Sequence, residues 1–167
     1  MTNHPHTLDA LAAADATQLA KILLEVCSSP RWAATVAESG PWPDREALLA
    51  ANAAAMAALT AEDLRDAMAG HARIGKPMAG DATSEREQAG IHGVDRAVLD
   101  ELREANAAYE AKFGHVFLIC ATGRTAVGML AALRERHPHD AATEAEIVRG
   151  ELREINDIRL NRLIDAS

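Results

Sequence analysis

The sequence predicts an all-α fold: one compact domain of about eight helices over residues 1–167. Two observations predict it. Apolar residues make up 49% of the chain, with alanine the largest share, while Trp, Tyr and Phe together supply 3%. Strands draw on β-branched and aromatic side chains, so this composition suits closely packed helices better than a sandwich. The second observation is local. Apolar residues recur at helical spacing, and Ser, Thr or Asp stands before each run where a cap is needed. A chain of 167 residues also fits one domain around one core.

Taken in order, Asp15 caps a helix through "ATQLAKILLEVC", whose Leu19, Ile22, Leu23 and Val26 form one apolar face. "SSPRW" breaks it and begins the next, with Ser29 as cap and Pro30 in the first turn. After the turn "SGPWPD", Asp44 caps a long alanine-rich helix running to near Leu59. Thr60-Ala-Glu-Asp63 reads as a capping box with Asp in place of Glu, opening a helix that stops near Gly70. From Gly70 to Ile91 runs "GHARIGKPMAGDATSEREQAGI", a Gly-rich connector followed by a short helix capped by Thr83 or Ser84. Asp95 opens a long helix with Val98, Leu102, Ala105 and Tyr109 on one side, and Gly114 ends it. "HVFLIC" is either a buried extended segment or a single helical turn, since periodicity does not separate the two. "TGRTAVGMLAALRERH" is helical, and a last helix closes the chain with Thr143 and Glu146 in capping-box spacing.

The formal net charge is -8, which argues against nucleic acid or an anionic membrane as the main partner. A small anionic ligand stays compatible, because a local pocket can be positive on a negative protein. Cys27 and Cys120 lie in apolar surroundings with no CxxC or Cys/His ligand spacing, and read as buried free thiols in a reducing compartment. No apolar run approaches the ~20 residues of a membrane span, and the N-terminus lacks the regions of a signal peptide. A cytoplasmic protein is expected. The two His-Pro-His stretches are expected to be exposed and not to bind metal. GxSxG, GxxxxGK[ST], GxGxxG and HExxH are all absent.

Three features stand out as chemistry. On the last helix Val148, Leu152, Ile155, Arg159 and Leu163 follow one another at steps of four, three, four and four, so Arg159 falls on an apolar stripe. It either snorkels to the surface or reaches into a pocket to hold a planar anion with its forked donors. His71, just past a helix end, either interacts with the last carbonyls of that helix or faces a site framed by Gly75, Pro77 and Gly80. Ser84 and Glu87 have capping-box spacing; followed by Gln88, they equally suit a ligand rich in N–H and C=O groups.

These stretches in order resemble one family, the 2-oxo-4-hydroxy-4-carboxy-5-ureidoimidazoline (OHCU) decarboxylases of purine catabolism. "LLEVCSSPRWAATV" is similar to the family's N-terminal Cys-Ser…Trp region, and "HARIGKP" to its His-Pro-x-x-Gly segment. "SEREQAGI" is similar to its Ser-x-x-Glu-Gln-x-Gly element, and "KFGHVFLICATGRT" to its Phe-Gly-x-x-Phe-x-Ile-Cys segment. "EINDIRLNRL" is similar to its C-terminal Ile-x-x-x-Arg-Leu helix. One position departs: Ala72 stands where the family usually has proline, which leaves the backbone after His71 without a fixing ring.

The resemblance implies an all-α enzyme without cofactor or metal that makes (S)-allantoin from the unstable end product of urate oxidation. It implies His71, Glu87 and Arg159 as catalytic residues, with Ala72, Ser84, Gln88, Phe117 and Ile119 binding substrate. It also implies a homodimer. The residues leave two rivals: an enzyme acting on a related ureido or carboxylated heterocycle, to which Ala72 is relevant, and a helical ligand-binding protein without catalysis.

Overall fold

A computed structural model describes residues 7–74, 86–91 and 94–165. Among them are eight α-helices and no strand: α1 (Leu8–Ala13), α2 (Ala16–Val26), α3 (Pro30–Glu38), α4 (Arg45–Ala57), α5 (Ala61–Ala69), α6 (Arg96–Phe113), α7 (Ala126–Arg136) and α8 (Ala141–Ile164). A 3-10 turn spans Ala89–Ile91. The chain divides into two compact units, Met1–Gly70 with Leu152–Ser167, and His71–Glu151.

Local chemistry starts the helices of the first unit where the sequence predicts. Asp15 accepts from the Gln18 N–H while Gln18 reaches back, a reciprocal capping box. Ser29 accepts from Trp32 N–H, with Pro30 as the first helical residue. Asp44 caps α4, and Thr60 with Asp63 forms the expected box on α5. The sequence reading begins at Asp15 and misses α1, a six-residue helix capped by Thr7. Its only buried side chain is Leu11, too little apolar repetition to show a period.

The core of this unit holds Leu11, Leu23, Trp32, Val36, Leu48, Met56, Leu152 and Leu160, each fully or almost fully buried. A polar chain runs through it. Trp32 Nε1 donates to Asn52 Oδ1 at 2.9 Å, and Asn156 Nδ2 donates to the same oxygen at 3.3 Å. Asn52 Nδ2 in turn donates to the Arg153 carbonyl at 3.1 Å and to Asp157 Oδ1 at 2.8 Å. Buried polar groups are tolerated on such terms, and in this polar chain Asn156 Oδ1 is the exception, buried without a hydrogen-bond partner among the described residues.

The buried line on α8 differs from the expected stripe. It runs Val148, Leu152, Asn156, Leu160 and Ile164, with Ile155 beside it. Arg159 and Leu163 lie on its flank, half-buried. Four-residue steps advance slightly more than one turn, so the buried line winds around a 24-residue helix instead of staying on one fixed face. The start of α8 is also corrected. Asp140 Oδ1 accepts from Thr143 N–H at 2.7 Å, so Asp140 caps the helix and Thr143 sits inside the first turn. That hydrogen bond holds the Asp140 carboxyl below its usual range.

In the second unit Val98, Ala105 and the fully buried Leu102 and Tyr109 turn one side of α6 to an apolar cluster that includes Ile74, Phe117, Ile119, Met129 and Leu133. Gly114 ends α6 at φ 77°, the left-handed conformation that glycine adopts without a Cβ penalty. The alternatives for "HVFLIC" resolve here: residues 116–121 form no helix, and Phe117 through Ala121 are buried without a break. Tyr109 and Phe117 meet edge to face at 5.2 Å.

Beneath these rings lies a buried charge cluster that the sequence does not announce. Glu144 is wholly buried, pairs with Arg136, and accepts the Tyr109 hydroxyl at 2.5 Å. The Arg136 guanidinium stacks 4.5 Å above the Phe117 ring, and its Nη1 donates to the Leu118 carbonyl at 2.7 Å. His139 Nδ1 lies 3.3 Å from Glu144 Oε2. His137 and His139 are therefore half-buried rather than exposed. Cys27 and Cys120 are both buried free thiols, as expected.

Candidate functional site

The second unit holds six of the eight site residues named from sequence: His71, Ala72, Glu87, Gln88, Phe117 and Ile119. Ser84 lies outside the described residues, as do Gly75, Pro77 and Gly80. Arg159 belongs to the first unit.

His71 and Ala72 stand directly after Gly70, where α5 ends. Gly70 is required by packing: a Cβ there would lie 2.8 Å from Ser28 Oγ. That hydroxyl donates to the Asp66 carbonyl at 2.6 Å, satisfying one of the orphan acceptors of the helix end. Both His71 and Ala72 are half-buried. The two residues that follow are anchored several times over. Arg73 makes a forked pair with Glu110 at 2.7 and 2.9 Å. Ile74 enters the apolar cluster, and its carbonyl accepts from Asn106 Nδ2 at 3.2 Å. The loop is thus fixed immediately after Ala72 by contacts that need no proline ring.

Glu87 is helical, and Gln88 follows in the turn that precedes Ala89–Ile91. Gln88 is buried, and its Nε2 donates to the Arg73 carbonyl at 3.2 Å, tying this turn to the His71 loop. Phe117 and Ile119 share the cluster of Ile74, so the loop and the 116–121 segment rest on one core. Phe117 is 1% exposed and Ile119 4% exposed; the rings and methyls of these residues are engaged in that core.

In the first unit, Arg159 Nη1 donates to the Val26 carbonyl at 2.9 Å. Val26 is the last residue of α2, so the guanidinium completes a helix C-terminus, where a cation is electrostatically favoured. Burial pushes the neighbouring Cys27 thiol up, against the opposing pull of Ser29, Asn156 and the Arg159 charge, which keeps it neutral. Arg159 is therefore a held group, oriented by main chain. Among the described residues no cluster of three or more His, Cys, Asp or Glu is arranged to hold a metal ion. No helix among them is long and apolar enough to cross a membrane.

Sequence reasoning missed the groups that hold the 116–121 segment. These are Arg136 with Glu144, and Arg124 with Glu151. Arg136 and Glu151 reach the segment from 18 and 31 residues away, where no spacing rule applies, and Arg124, four residues from Cys120, belongs to no helix that would mark the spacing.

The chain is similar to known proteins. Residues 12–161 match the OHCU decarboxylase family. The Uric acid degradation bifunctional protein TTL of Arabidopsis thaliana is 31% identical over 144 residues, covering 82% of this chain and 44% of that protein. The chain thus spans less than half the length of this curated relative. A crystal structure of OHCU decarboxylase in the presence of (S)-allantoin is 31% identical and superposes with a TM-score of 0.72, covering 86% of this chain and 96% of that one. An (S)-allantoin synthase structure shares the fold at 19% identity with a TM-score of 0.75, covering 97% of this chain and 55% of that one. With the family match running through nearly all of the helical scaffold, the chain belongs to the OHCU decarboxylase family.

Proposed function

We propose that this protein decarboxylates 2-oxo-4-hydroxy-4-carboxy-5-ureidoimidazoline to (S)-allantoin in urate degradation, acting as a cofactor-independent carboxy-lyase over residues 1–167 as one functional domain. The observation that carries the reading is the 31% identity to a solved OHCU decarboxylase across 96% of that protein's length. That decarboxylase was crystallised in the presence of the product named here.

Loss of CO2 leaves an electron pair that must be delocalised and then protonated on one face. Fixed charge and positioned protons supply this in the proposed mechanism. Arg159, held by the Val26 carbonyl, binds the anionic end or ring carbonyl and stabilises the charge that develops. His71 transfers the proton, the task for which an imidazole is suited. Glu87 fixes the imidazole tautomer or holds the ureido N–H groups. Gln88 reads the ureido donors and acceptors, and Ser84 bonds a carboxylate or carbonyl oxygen. Ala72 and the main chain at Phe117 and Ile119 form the remaining contacts.

The enzyme is further proposed to be cytoplasmic and homodimeric, with a small molecule as its partner. The net charge of -8 supports a surface that does not seek nucleic acid. To test the activity, urate is oxidised and its first product hydrolysed enzymatically in the presence of the protein, while optical activity is followed. Rapid appearance of (S)-allantoin is expected. Slow racemic product at the rate of a protein-free control overturns the reading.

A further inference from the structure

We propose that Arg124 and Glu151 are positioning residues whose ion pair clasps the Cys120 peptide and thereby sets the Ile119 segment against the Gln88 turn. This rests on the functional reading above, in which Gln88 and Ile119 meet substrate.

Residues 117–121 are buried yet belong to no strand or helix, so their peptide groups need hydrogen bonds from elsewhere. Cys120 N–H donates to Glu151 Oε2 at 2.8 Å, and the Cys120 carbonyl accepts from Arg124 Nε at 3.0 Å. Arg124 Nη2 lies 3.9 Å from Glu151 Oε1, with the two side chains 41% and 15% exposed. One ion pair therefore takes both main-chain groups of a single residue. Charge-assisted bonds of this kind are stronger than the amide–amide bonds of a ladder.

The main chain of Arg124 makes the second connection. A Cβ built on Gly90 would lie 2.0 Å from the Arg124 carbonyl oxygen, so the Gln88–Gly90 turn lies directly on the Arg124 peptide with no room for a methyl. Any displacement of residues 120–124 is passed in one direction to Ile119 and in the other to Gln88. Neither Arg124 nor Glu151 needs to touch substrate for this.

Steady-state kinetics of the wild-type protein, Glu151→Ala, Arg124→Ala and Glu151→Gln test the proposal. In both alanine variants KM is expected to rise about 10-fold with kcat retained, the scale of one lost charge-assisted hydrogen bond. Glu151→Gln is expected to raise KM less than Glu151→Ala, since its amide oxygen still accepts the Cys120 N–H but no longer pairs with the Arg124 charge. A merely structural role would lower the folded fraction, and so kcat per total protein, at unchanged KM. An unmoved KM in Arg124→Ala, whose exposed side chain makes folding the safer assumption, overturns the proposal. So does a Glu151→Gln variant as impaired as Glu151→Ala. A wild-type protein that makes no (S)-allantoin overturns the functional reading and this one with it; an active wild type with unmoved KM overturns this one alone.

Discussion

Glu144→Gln is expected to destabilise the protein by about 3 kcal/mol, the low end of what breaking a buried ion pair costs. The magnitude follows from the surroundings of the carboxylate. Glu144 is 0% exposed and receives Arg136 Nε at 2.7 Å and the Tyr109 hydroxyl at 2.5 Å. The amide keeps an acceptor for one of these donors but leaves the Arg136 charge uncompensated at 7% side-chain exposure. Urea denaturation reads the effect. With an m-value of about 2 kcal/mol/M, the midpoint falls by about 1.5 M. A shift under about 0.3 M, or roughly 0.6 kcal/mol on the same slope, would refute the reasoning. Replacing both partners, Arg136→Met with Glu144→Leu, is expected to recover much of the loss, because no unpaired charge remains.

The same residue predicts a pH dependence with a definite sign. Burial alone would raise the Glu144 carboxyl, but hydrogen bonds from Arg136 and Tyr109 outweigh it and hold the group below its ordinary value of 4.5. A depressed folded-state value contributes stability that is fully present above the unfolded value and lost as pH falls through the folded one. The midpoint gap between wild type and Glu144→Gln should therefore be constant above pH 4.5 and close below it. A gap that stays open down to acid unfolding would show that the charge of Glu144 is not what stabilises the cluster.

Other expectations concern activity and packing. His71→Asn is expected to lower turnover about 100-fold or more, as for the loss of an acid/base group, and a folded variant with normal turnover would remove His71 from the chemistry. Arg159→Lys is expected to lower kcat/KM about 10-fold or more, since an ammonium cannot both reach the Val26 carbonyl and fork onto an anion. Full activity in that variant would exclude bidentate recognition. Gly90→Ala, which drives a methyl into the Arg124 carbonyl, is expected to cost about 1–3 kcal/mol in thermal unfolding, and an unshifted Tm would contradict the tight packing of that turn.

Much of the fold was legible because helix ends are written in residues close together in the chain. Asp15, Ser29, Asp44, Thr60 and Asp95 cap the helices that follow them, and Gly114 supplies a left-handed stop. Each is a three- or four-residue event that a sequence displays directly. Where two local options competed, the sequence alone did not decide the outcome. For α8 the spacing of Thr143 and Glu146 pointed to Thr143 as the cap, and Asp140 three residues earlier took the role. "HVFLIC" carried no period, and its state was decided by Arg136, Arg124 and Glu151 reaching its peptide groups.

The candidate residues rest on a different kind of reading. Arg159 was singled out as a charge on an apolar stripe, His71 by its place between a helix end and a Gly-rich connector, Glu87 by capping-box spacing with Gln88 beside it, and all four as pieces of a family pattern. By itself the sequence determined the helical class, the places where most helices begin, and membership of a decarboxylase family. Tertiary structure decided how these residues are held: Arg159 by the end of α2, Gln88 by the Arg73 carbonyl, and Glu144 by Tyr109 and Arg136. Those partners lie 133, 15, 35 and 8 positions away. Caps are set by neighbours along the chain, whereas the partner of a buried charge is whichever group packing brings to it.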